Sequence, residues 1–105
     1  MKKVSIIYSA TIFEEVKNDL EELGVKAYSI IPTIFGKGLI TQPKFDNHVW
    51  PGKNQMIIVL CDDKSAKLIL EKADNLREKY PREGIVAYIE NIEDITKHDK
   101  TNQLK

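Results

Sequence analysis

The chain has 105 residues, 42% of them hydrophobic and 30% charged, a globular balance well outside the disordered class. Lys+Arg and Asp+Glu both number 16, so no overall charge draws the protein to nucleic acid or to an anionic membrane. Cys61 is the only cysteine, which excludes an internal disulfide or a cysteine zinc cluster and fits a reducing cytosol. The opening "MKKVSIIYSAT" has an apolar run too short and too interrupted for a signal peptide or a membrane span. The reading is a cytoplasmic protein that is not itself a membrane protein. It has one domain over residues 1–95 and a polar, aperiodic tail over 96–105. A domain of this size buries only roughly two-thirds of its extended surface, so self-association is a natural way to bury more.

In chain order, "KKVSIIYS" is rich in β-branched residues and predicts a strand with Val4, Ile6 and Tyr8 on one face. Thr11 and Glu14 have the spacing of a capping box. Ile12, Phe13, Val16, Leu20 and Leu23 then recur at helical spacing, and Gly24 supplies the left-handed stop. "VKAYSIIPTI" predicts a second strand, with Pro32 near its end or on a sheet edge because proline donates no ladder bond. "QMIIVLC" is the most apolar strand and predicts a central place. Asp62 or Asp63 caps a second helix whose buried stripe is Ala66, Ile69, Ala73, Leu76 and Tyr80. Pro81 ends that helix, and "EGIVAYI" predicts the fourth strand.

Two strand–helix–strand halves give an α+β, ferredoxin-like βαββαβ fold, with both helices on one face of a four-stranded antiparallel sheet. The other face has no helix to cover it. Ser5 and Ile7 nevertheless alternate outward, and "MIIVL" is apolar at every position, as in a strand covered on both sides. The simplest cover is another copy of the chain; the alternative is a face that tolerates a few exposed isoleucines.

Between the second and third strands lies a long loop, "IFGKGLITQPKFDNHVWPGKN", residues 34–54. It holds three of the five glycines, two of the four prolines, the one tryptophan and one of the two histidines. Connections of this length are commonly functional. Gly36, Lys37 and Gly38 put a cation between two backbone amides, a combination that approaches an anion closely and that also suits a plain turn. Lys37, Lys44 and Lys53 against Asp46 make the loop basic, whereas the first helix is acidic. Asp46, His48 and Trp50 alternate, so an extended backbone points them one way, toward a ligand or a partner surface. Trp50-Pro51-Gly52 also reads as a turn with the indole docked on the sheet. Cys61, ending a buried strand, reads as a small core residue. No nucleophile stands beside a base at a recognisable spacing, so the chain reads as a non-enzyme.

Element order, loop position and the "FGKG" opening of the loop resemble the P-II-like superfamily over roughly Lys3 to Ile92. The resemblance implies a trimeric regulatory protein of nitrogen-type signalling. Its long loop contacts a protein target, and the loop base faces the turn before the fourth strand of a neighbouring subunit to cradle a nucleotide. Carried over, Gly36, Lys37 and Gly38 face "PREG", with Arg82 as phosphate partner and Gly84 allowing close approach. The ligand class is ATP, ADP or another small anion. Phe45, Asp46, His48, Trp50 and Lys53 fall to the partner-binding loop. The departures point to a divergent member. "YPREGIVAYI" is shorter than the glycine-rich nucleotide turn, the loop has no tyrosine to modify, and "ENIEDITKHD" stands where a basic run follows the last strand. The alternative on the same topology is a CutA-like trimeric cation-tolerance protein, in which His48, Asp46 or Cys61 takes a metal. An RNA-recognition module is disfavoured because "QMIIVLC" offers no aromatic for base stacking.

Overall fold

A computed structural model describes residues 1–37, 43–45 and 52–96. Four strands, β1 (Lys2–Ser9), β2 (Ser29–Ile34), β3 (Asn54–Cys61) and β4 (Ile85–Asn91), form one antiparallel sheet in the order β2-β3-β1-β4. Helices α1 (Phe13–Glu22) and α2 (Asp63–Lys79) complete the βαββαβ order, which is the ferredoxin-like arrangement. Val4, Ile6 and Tyr8 of β1, Ile57, Val59 and Cys61 of β3, and Ile85 of β4 are buried. They form one core with Val16 and Leu20 of α1 and Ala66, Ile69, Ala73 and Leu76 of α2. Both helices therefore cover the same sheet face.

The second helix starts as its sequence requires. Asp62 is extended, and its carboxylate accepts from the Ser65 amide at 2.8 Å, a cap worth about 1 kcal/mol. The first helix does not. A single 3-10 turn, Ala10–Ile12, precedes it, the cap position falls on Ile12, and no side chain caps the end. Tertiary packing overrides the Thr11–Glu14 pattern: Ile12 is buried in the core, and the chain turns tightly there to carry it inward. Gly24 ends the first helical segment with φ 82, the left-handed stop the sequence calls for.

The second strand is shorter than its sequence suggests. Val25 is buried, but pairing begins only at Ser29. β2 is an edge strand, and its register with β3 shifts between Ile31 and Ile34, the interval that contains Pro32. The missing proline N–H explains why the irregularity falls there.

Register assigns the open face. Ser5 of β1 lies between Ile58 and Tyr88, and Ile7 between Met56 and Val86. Ile31, Val86 and Tyr88 are 41%, 51% and 41% exposed. Ser5 itself is completely buried, and its hydroxyl has no hydrogen-bond partner among the described residues. An unsatisfied buried hydroxyl costs about 1–3 kcal/mol.

Tyr8 is buried at the far end of β1 and donates to Gln55 Oε1 at 2.9 Å. Burial, helped by the neighbouring Tyr28, pushes its phenol up to about 12. A phenol of raised pKa stabilises the fold fully below its unfolded value near 10 and loses that contribution as pH climbs toward 12. Chemical denaturation from about pH 8 to about pH 12 is expected to show falling stability across this window. The fall should be shallower in Tyr8→Phe; an unchanged alkaline slope would place the phenol in water.

Candidate functional site

One end of the sheet gathers the loop base, the α2–β4 turn and the end of β1. Ser9 and Ala10, where β1 gives way to the 3-10 turn, donate their amides to Gly84 O at 2.9 Å and Lys53 O at 3.0 Å. Two segments far apart in sequence are thereby held against adjacent backbone groups.

The loop base is more ordered than a long aperiodic loop suggests. Gly36 and Lys44 form an isolated antiparallel pair, Gly36 N donating to Lys44 O at 2.9 Å and Lys44 N to Gly36 O at 2.6 Å. Pro43 beside it is buried. Gly52 turns the chain back toward β3 with φ 92, a conformation that favours glycine, with Lys44 Cδ in ordinary contact at 3.5 Å from a built Cβ. Gly36 has ordinary room around it, with Asn54 Nδ2 at 3.7 Å from a built Cβ. Its amide is already bonded to Lys44, so Gly36 shapes the ribbon instead of offering a free donor. The pairing joins two residues of the loop with no local sequence signal between them.

Lys37 and Arg82 are exposed, Lys53 and Gly84 half-buried, and Phe45 is at the surface. Gly38, Asp46, His48 and Trp50 lie outside the described residues. Gly36–Lys37 leaves the sheet at edge strand β2, and Arg82–Gly84 enters it at the opposite edge, β4. Three strand spacings separate these edges, about 14 Å. Within one chain the two halves of the anticipated anion site share an end of the sheet but do not meet. Phe35, 57% exposed and adjacent to the Gly36–Lys44 pair, is a surface residue the motif-based reading of the loop passed over.

Cys61 sits at the other end of β3 from the loop base, about 24 Å along the strand. It is buried on the helix-covered face, and burial, with a further contribution from Asp62, pushes its thiol up to about 11. It is therefore a protonated core residue at neutral pH, remote from the place where the loop is anchored. Among the described residues no group of three His, Cys, Asp or Glu side chains is arranged to hold a metal ion.

The chain belongs to the nitrogen regulatory protein P-II family, which it matches over residues 1–100. No curated protein is similar enough to match. Among solved structures, the fold is similar to CPII from Thiomonas intermedia K12, a nitrogen regulatory PII-like protein bound to ADP, AMP and bicarbonate. The TM-score is 0.68 at 23% identity, covering 87% of this chain and 88% of that one. The apo form of CPII gives a TM-score of 0.61 at 20% identity over 87% and 89% of the two chains. A PII-like protein from Thermus thermophilus gives 0.62 at 23% identity over 87% and 85%.

A thiol reagent at about pH 8 is expected to label Cys61 slowly in the folded protein and rapidly in denaturant. Fast labelling of the native chain would contradict its place in the core.

Proposed function

We propose that this chain is a trimeric P-II-like signalling protein of the cytoplasm that acts by binding and not by catalysis. It takes a small anionic ligand, with nucleoside phosphates the first class, in clefts between subunits, and its 34–54 loop contacts a protein target. The observation that carries this reading is the placement of Gly36–Lys37 and Arg82–Gly84 at one end of the sheet but at opposite edges. Opposite edges are what neighbouring subunits bring together when an open sheet face is shared. The exposed Ile31, Val86 and Tyr88 support such sharing. Trimeric assembly is typical of the family. The ADP, AMP and bicarbonate bound by CPII support the ligand class.

In the proposed cleft Gly38 extends the backbone next to Lys37, and Gly84 lets the ligand approach the turn closely. Lys37 from one subunit and Arg82 from the next supply the charge. Each charge-assisted bond to phosphate is worth about 1.5–3 kcal/mol. Phe45, Asp46, His48, Trp50 and Lys53 form the partner-contacting arm.

Light scattering at micromolar concentration is expected to give three times the chain mass, and a monomer mass would remove the cleft. Replacing Lys37 or Arg82 by alanine should weaken ADP or pyrophosphate binding more than tenfold by calorimetry, with circular dichroism unchanged. Unchanged affinity in both variants would remove these residues from the site.

Trp50, the only tryptophan, reports on the arm. If the arm engages a partner, emission of the free protein is red-shifted and quencher-accessible and turns blue on ligand or partner binding. Emission already blue and protected would make the loop structural and the partner reading wrong.

A further inference from the structure

We draw no further inference here: the strongest candidate, the open cleft of about 420 Å³ between the start of β1, the end of β3 and the segment after β4, is an acidic cluster of Asp62, Glu93 and Asp94 around the lone Cys61, and it carries nothing because Asp62 caps α2, Asp94 accepts from the Ile95 amide, and no second feature among the described residues points to a ligand there.

Discussion

β1 lies between β3 and β4, and the two amides at its end decide what the rest of the molecule can present. The Ser9 amide takes Gly84 O and the Ala10 amide takes Lys53 O, just where β1 breaks into the 3-10 turn. Backbone donors at this junction would otherwise be left unpaired as Ile12 is carried into the core. The pairing fixes the last residue before β3 and the last before β4 at the same end of the sheet. A long loop and a short turn, far apart in sequence, thus become neighbours of one backbone junction without any side chain having to hold them.

The same sheet order keeps the loop's outgoing strand away from that turn. β2 and β4 are opposite edges, so Lys37 and Arg82 are separated by the width of the sheet. Their joint use in one site requires a second chain, and the open face supplies a reason for one. Burying Ile31, Val86 and Tyr88 removes apolar surface from water at roughly 25 cal/mol per Å². In the proposed cleft, assembly and site formation would be one event, and a bound ligand would stabilise the assembled state by mass action.

Much of the fold was legible in the sequence because the core follows simple periods. Val4, Ile6 and Tyr8 alternate into the core, Ala66, Ile69, Ala73 and Leu76 follow the helical repeat, and Gly24 stops the first helical segment. What the sequence misplaced depends on tertiary contacts. The Thr11–Glu14 spacing invites a capping box, but Ile12 occupies the cap position because its side chain is needed in the core. β2 starts later than its apolar run because pairing with β3 begins at Ser29↔Ile58, although Val25 is buried. The loop's position was evident from the clustering of glycine, proline and tryptophan. Its Gly36–Lys44 pairing was not, because a two-residue bridge has no hydrophobic period to announce it.

That pairing changes the character of the site. A Gly-Lys-Gly run in isolation suggests backbone amides converging on an anion. Here the Gly36 amide is committed to Lys44 O, so an anion at this place would be met by side chains on long flexible stems. Lysine and arginine at exposed positions attract anions of many shapes, and an exposed charge pair by itself contributes little. In this chain the fold thus places charged side chains where the loop meets the sheet, and the Gly36–Lys44 pairing holds the backbone that carries them.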